Sequence, residues 1–236
     1  MLLSVDTSTL TSSAAVVTPD GVARAQAGGA PGTPTDQLLA LCERVLAEAA
    51  IATSDLTAIA VGAGPGSFTG LRIGLATAKG LAYALGRPLW LASSLAALAH
   101  DLAAVAPDDD GVLVPMLDAR RGEIYAGAFR RTADGLVPVL AECVVAPDAL
   151  IAAMVGLGAP LHLAGDALEI HGDALAALVA TRHPHPRTPS ALGVARAALA
   201  GSRLDRLHDG APAYIRPSEA EVKYPDGVPG ARRASS

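Results

Sequence analysis

A two-lobed α/β fold is predicted by three observations on this 236-residue chain. Short apolar runs end at small or acidic residues and are bounded by turn signals, amphipathic helical spacings alternate with them, and the second half of the chain opens in the same way as the first. The composition fits this reading, because 51% hydrophobic and 17% charged residues can fill a sizeable core and exclude the disordered and fibrous classes. With 18 Lys+Arg against 23 Asp+Glu and a net charge of -5, the chain lacks the basic face that unaided, tight nucleic-acid binding requires.

In the first half, residues 2–5 form an apolar run that ends at Asp6-Thr7-Ser8. A second run, 13–18, meets the turn Pro19-Asp20-Gly21, and 22–26 completes a three-strand meander. Thr33 suits a helix cap and Pro34 the first helical position; Leu38, Leu41, Cys42, Val45 and Ala49 then recur at helical spacing, predicting a helix over 35–50. A buried-type strand over 56–61 leads through a glycine loop, 62–66, into a helix over 68–85 closed by Gly86 and Pro88. A strand over 89–92 and a helix over 93–105 follow.

In the second half, 112–117 runs into Asp118-Ala119-Arg120-Arg121, 123–129 returns, Asp134-Gly135 turns, and 136–145 is a third strand. A helix over 147–155, a strand over 161–164 and helices over 168–179 and 190–200 complete it. Asp118 thus repeats Asp6 at an offset of 112 residues. The predicted division is a lobe over 1–106, a second over 107–226 whose last helix is free to pack back on the first, and a flexible tail over 227–236. A meander and helices used twice is the architecture of actin, hexokinase and the Hsp70 ATPase, in which two strand-ending turns face each other across a nucleotide cleft. Asp6 and Asp118 either serve such a cleft or merely terminate strands.

The segment Gly62-Ala63-Gly64-Pro65-Gly66-Ser67-Phe68-Thr69-Gly70-Leu71-Arg72 joins a strand to a helix, where free N–H groups could hold an anion. Neither standard phosphate motif fits: a dinucleotide fingerprint needs Gly at Ser67, Pro65 removes a donor, and no Gly-Lys-Ser/Thr is present. Behind the loop, Gly70, Gly74, Ala78 and Ala82 form a ridge of small residues. That ridge either docks the helix on its own sheet or admits a helix of another subunit. The start, Met1-Leu2-Leu3-Ser4-Val5-Asp6, lacks the charged and apolar regions of a secretory signal, and no apolar run is long enough to span a bilayer. Cys42 and Cys143 are unmatched thiols, so a soluble protein of a reducing cytoplasm is expected. None of His100, His162, His171, His183, His185 and His208 stands four residues from another, and they are expected to be solvated bystanders.

Asp6-Thr7-Ser8, the run from Ile59 through the glycine loop to Ala82, Ser93-Ser94-Leu95, Asp118-Ala119-Arg120-Arg121 and Tyr214-Ile215-Arg216-Pro217 occur in the order that marks the TsaB (YeaZ) family, paralogues of TsaD/Kae1, and the chain resembles that family over most of its length. The resemblance implies a duplicated actin-like (ASKHA, ribonuclease H-like) fold. It also implies a part in making threonylcarbamoyladenosine, the modified base beside the tRNA anticodon, as a non-catalytic organiser that binds and activates the TsaD transferase, with TsaE as a further partner, a homodimer when alone, and tRNA met only indirectly. The family transferases carry an H-x-x-x-H metal pair whose positions fall here on Ser94 and Leu98, so neither a metal nor independent turnover is expected. The expected partner interface is Leu38, Cys42, Val45, Gly70, Leu71, Gly74, Leu75, Ala78 and Ala82. ATP or ADP shared at a junction with TsaD would involve Asp6, Thr7, Ser8 and Asp118. The competing function is an actin-like ATP-dependent phosphotransferase acting alone.

Overall fold

The computed structural model describes residues 1–28 and 37–215. The predicted cap at Thr33 and Pro34, the Arg216-Pro217 pair and the tail over 227–236 lie outside them. The first lobe is built from β1 (Leu2–Asp6), β2 (Ser13–Val17), β3 (Ala23–Gly28), α1 (Leu38–Ala49), β4 (Ala58–Gly62), α2 (Phe68–Leu85), β5 (Leu89–Ala92) and α3 (Ser94–Ala103). The second follows with β6 (Val112–Asp118), β7 (Ile124–Thr132), β8 (Gly135–Val145), α4 (Pro147–Val155), β9 (Leu161–Ala164), α5 (Ala167–His171), β10 (Thr181–Arg182) and α6 (Ala191–Ala200).

The two sheets have the same topology. In the first, the order is β3-β2-β1-β4-β5; in the second, read from the other side, it is β8-β7-β6-β9-β10. Both meanders are antiparallel, and β4 and β9 each pair parallel with the first strand of their own sheet, Leu2 facing Ala58 and Val112 facing Leu161. This is the duplicated actin-like fold that the 112-residue offset predicts.

Each sheet is apolar on both faces. On one face of the first, Leu3, Val5, Ala14, Val16, Ile59 and Val61 pack against α1 and α2; on the other, Leu2, Ala15, Val17, Ala58 and Ala60 pack against Ala191, Val194, Ala195 and Ala198 of α6. In the second, Val112, Val114 and Met116 meet Leu150 and Met154 of α4, and Leu113 and Phe129 meet Ala99 and Leu102 of α3. The last helix of each half therefore lies on the sheet of the other half. Asp101 of α3 ties the exchange together, accepting from the Ser190 N–H (2.8 Å) and hydroxyl (2.7 Å) at the start of α6.

Two local differences from the sequence reading have clear causes. The helix expected over 168–179 stops at His171, because the Arg182 guanidinium donates to the carbonyls of Gly172 (3.1 Å) and Leu175 (3.0 Å) that a continuing helix would use. The same arginine lies in β10, a two-residue strand too short to register as a period-2 pattern. Helix α1 ends at a left-handed Ala50 (φ 53°), and α2 ends at a left-handed Gly86 as predicted. No described helix is long and apolar enough to cross a membrane.

Candidate functional site

The first wall of the interlobe cleft is the turn that follows β1. Asp6 is wholly buried; its Oδ1 accepts from the Ser8 N–H (3.0 Å) and hydroxyl (2.8 Å), while Oδ2 has no partner among the described residues. That oxygen rests on Gly62, where a Cβ would overlap it, close to Val194 of α6. Burial pushes the carboxyl up to about 7 against the lowering effect of the Ser8 bonds, and the charge of Asp101 adds to the rise. Thr7 is also buried and donates from Oγ1 to the Gly70 carbonyl (2.8 Å).

The glycines serve this turn. A Cβ at Gly66 would overlap the Ser8 carbonyl, one at Gly70 the Thr7 carbonyl, and one at Gly74 the Thr7 hydroxyl. They let the start of α2 press directly onto the β1–β2 turn, fastened by the Ser67 N–H donating to Ser8 O (2.6 Å). Two of the loop amides are spent internally: Ala63 N–H donates to Ala92 O (2.8 Å) and Gly64 N–H to Ser94 Oγ (3.2 Å), while Pro65 has none to offer. The close contacts of Gly66, Gly70 and Gly74 with the β1–β2 turn give the glycines of this segment a packing role.

The second wall is built around Asp118 at the end of β6. Its Oδ1 accepts from Arg120 N–H (3.1 Å) and lies 3.1 Å from His171 Nε2; Arg120 Nε lies 3.5 Å from Oδ2. The Asp118 N–H donates to Asp166 Oδ1 (2.9 Å), joining the ends of β6 and β9. Burial raises the Asp166 pKa, with the Asp118 charge contributing in the same sense. The turn after Asp118 runs through three left-handed residues, Arg120 (φ 63°), Arg121 (φ 55°) and Gly122 (φ 79°), which turns the arginine back over the carboxylate.

Between the walls lies a cleft of about 880 Å³, lined from the first lobe by Ser8, Thr9, Thr11 and the 66–69 segment and from the second by Asp118, Arg120, Tyr125, Asp166 and the 185–188 segment. Of the four residues expected at a nucleotide junction, Ser8 and Asp118 line it. Asp6 and Thr7 do not: they are sealed beneath the turn. The carboxylate that would face Asp118 across a phosphotransferase cleft is therefore turned into the protein. The sequence reading missed Asp166, His171 and Arg187, the last paired with Glu169. A strand followed by Gly165-Asp166, in the position that β4 and Gly62 hold in the first lobe, is the signal that could have found Asp166.

At the metal-pair positions, Ser94 is buried, donating its N–H to Gly64 O (2.7 Å) and accepting from Gly64 N–H, and Leu98 is buried with Leu95 and Leu117. Neither is a ligand. Among the described residues no group of three or more His, Cys, Asp or Glu is placed to hold a metal ion. Two histidines are not the solvated bystanders expected: His171 is buried against Asp118, and His162 is buried between Asp109 (3.0 Å) and His183 (3.2 Å).

The residues expected at a partner interface are all used within the chain. Leu38, Cys42, Val45, Leu75, Ala78 and Ala82 belong to the core under α1 and α2, and Gly70, Leu71 and Gly74 are buried against the same lobe. Burial pushes the Cys42 thiol up to about 12. The small-residue ridge is real but faces inward; the outward face of α2 carries Phe68, Arg72, Ala76, Gly80, Tyr83 and Ala84, and that of α1 carries Leu39.

A family model described as TsaD, tRNA N6-adenosine threonylcarbamoyltransferase, matches residues 34–224. The tRNA threonylcarbamoyladenosine biosynthesis protein TsaB of Bacillus subtilis is 28% identical over 232 residues, covering 94% of this chain and 97% of that protein. Its Escherichia coli namesake is 33% identical over 135 residues, 57% of each chain. Among solved structures, YeaZ from Pseudomonas aeruginosa is 29% identical with a TM-score of 0.73, covering 90% of this chain and 98% of that one. A Pseudomonas aeruginosa protein described by its similarity to peptidase YEAZ has a TM-score of 0.78 at 29% identity, covering 91% and 99%. Motifs, duplicated topology and these likenesses agree, and the chain belongs to the TsaB/YeaZ family.

Proposed function

We propose that this protein takes part in tRNA threonylcarbamoyladenosine biosynthesis as a non-catalytic subunit that binds a TsaD transferase and holds it in its active arrangement. The part in the pathway rests on relatives of the same length that carry that name. The non-catalytic role rests on one observation: Asp6, the first lobe's candidate nucleotide-site carboxylate, is wholly buried and does not line the cleft. An actin-like phosphotransferase acting alone needs that group in solvent contact with its nucleotide.

The docking surface in this reading is the outer layer of the first lobe. Ala76, Gly80 and Ala84 recur every four residues on exposed α2, and Leu39 and Tyr83 are large apolar side chains left 50% and 77% exposed. A partner helix can approach such a strip closely, with the large side chains gripping its flanks. The same surface serves a homodimer when TsaD is absent, and TsaE joins the pair. tRNA is met by the other subunits, in keeping with the net charge of -5.

The test is co-purification with the cognate TsaD. Gly80→Arg and Ala76→Arg, both on the exposed face, abolish the complex while the thermal unfolding of the chain is unchanged; persistence of the complex in both variants overturns the assignment. Gly74→Arg and Ala78→Arg are unsuitable, since both sites are buried and the chain would not fold. ATP or ADP at the junction with TsaD is a second reading, favoured by Ser8 and Asp118 on opposite walls of the cleft. Titrating ADP into each protein and then into the pair decides it: heat only with the pair supports a shared site, and no heat in any of the three removes it.

A further inference from the structure

Phe68, Arg72 and Tyr214 form a stacked cluster at one end of the exposed face of α2. The Arg72 guanidinium lies 3.7 Å from the centroid of the Phe68 ring, its Nε donates to the Tyr214 hydroxyl (3.1 Å), and the two aromatic rings are 5.3 Å apart. The C-terminal segment brings Tyr214 there, and its course is fixed: Arg206 N–H donates to Leu89 O (2.8 Å), Asp205 accepts from Leu89 N–H (3.0 Å), and Ala213 N–H donates to Ala63 O (2.7 Å). Arg72 is thus held from two sides by neutral groups. Among the described residues no carboxylate pairs with it, and its two terminal nitrogens make no hydrogen bond. By contrast Arg44, Arg120, Arg131, Arg187 and Arg206 each have a carboxylate partner.

A long side chain ordinarily loses much rotamer freedom when it joins an interface. Here the aromatic stack and the tyrosine have already ordered Arg72, and the two terminal nitrogens form the planar fork that matches a carboxylate in bidentate geometry. Both rings are about two-fifths exposed, Phe68 at 43% and Tyr214 at 41%, so a partner covering the cluster would bury them and exclude water from the ion pair. Arginine flanked by aromatic groups is the composition of an interface hot spot. We infer that the Phe68–Arg72–Tyr214 cluster is the polar anchor of the partner interface and receives an Asp or Glu side chain of the partner protein. The inference rests on the docking reading above and names the chemistry that the partner must present.

The test is calorimetric binding of the full chain to the cognate TsaD, with thermal unfolding recorded for every variant. Arg72→Ala weakens binding by about tenfold or more, Arg72→Lys recovers part of the loss because it keeps the charge without the fork, and the loss shrinks as salt is raised. Arg72→Glu abolishes binding, and changing one exposed carboxylate of the partner to lysine restores it. If Arg72→Ala and Arg72→Gln both bind within about twofold of the parent while Gly80→Arg does not bind, the docking reading stands and this inference is overturned. If Gly80→Arg and Ala76→Arg both bind normally, the docking reading itself is lost. Glu219 and Glu221 stand five and seven residues after Tyr214 in the sequence, and a carboxylate from that segment is the competing occupant to be tested. If Glu219→Gln with Glu221→Gln removes the effect of Arg72→Ala, the fork belongs to that segment and the inference is overturned.

Discussion

Replacing Asp6 by asparagine removes a carboxylate that the fold keeps away from water and whose second oxygen has no partner among the described residues. The folded protein holds the Asp6 proton up to about pH 7, whereas the unfolded chain releases it near 3.8. Between those values the folded state binds more protons than the unfolded one, so this group's contribution to stability is fully present below about pH 3.8 and is lost as the pH rises through 7. At roughly 1.4 kcal/mol for each tenfold in proton affinity, the whole effect is a few kcal/mol, of which about 2–3 kcal/mol falls between pH 5 and pH 8. Asparagine stays neutral across the range and its oxygen can still accept from Ser8. The assay is urea unfolding of parent and variant at both pH values. The parent should lose about 2–3 kcal/mol more than Asp6→Asn between pH 5 and pH 8, and the variant should be the more stable of the two at pH 8. Equal losses would show that Asp6 does not titrate near neutrality, and the account of a sealed first wall would fall with it.

The remaining predictions concern packing and capping, each read by urea unfolding of the isolated chain. Gly70→Ala should cost about 1–3 kcal/mol or more, because its Cβ would overlap the backbone carbonyl of Thr7, which cannot swing aside. In the same helix, Gly80→Ala should stabilise by about 0.5–1 kcal/mol, since nothing lies within reach of the added methyl and the unfolded chain loses freedom; equal effects at the two sites would refute the inward and outward assignment of the faces of α2. Leu98→Ala should cost about 2–5 kcal/mol as a core truncation. A near-neutral result would mean that the metal-pair position is open. Ser190→Ala should cost about 1–2 kcal/mol by removing both the cap on Gly193 N–H (3.0 Å) and the hydroxyl bond to Asp101; full stability would show that the exchange of α3 and α6 does not depend on this link.

The sequence by itself determined the order of the elements other than β10, the repeat and the family. Strand-ending Asp6 and Asp118, the Asp-Gly turns and the helix stop at Gly86 are local signals, written in residues whose backbone preferences act within a few positions. The absence of a metal ligand at Leu98 was equally legible, because side-chain chemistry does not depend on the fold. Tertiary structure alone decided which way each side chain faces. A four-residue spacing marks a ridge on a helix but not the side on which the sheet lies, so Gly70, Gly74, Ala78 and Ala82 read equally well as interface or core until α2 was seated on β4. The same holds for Asp6, whose carboxylate is turned inward by bonds to Ser8 and by the arrival of α6 from the other half of the chain, 188 residues further on at Val194. Arg72 and Tyr214 are 142 residues apart and carry no shared sequence signal. Contacts of that separation come from how the lobes and the C-terminal segment close on one another, which local periodicity does not encode.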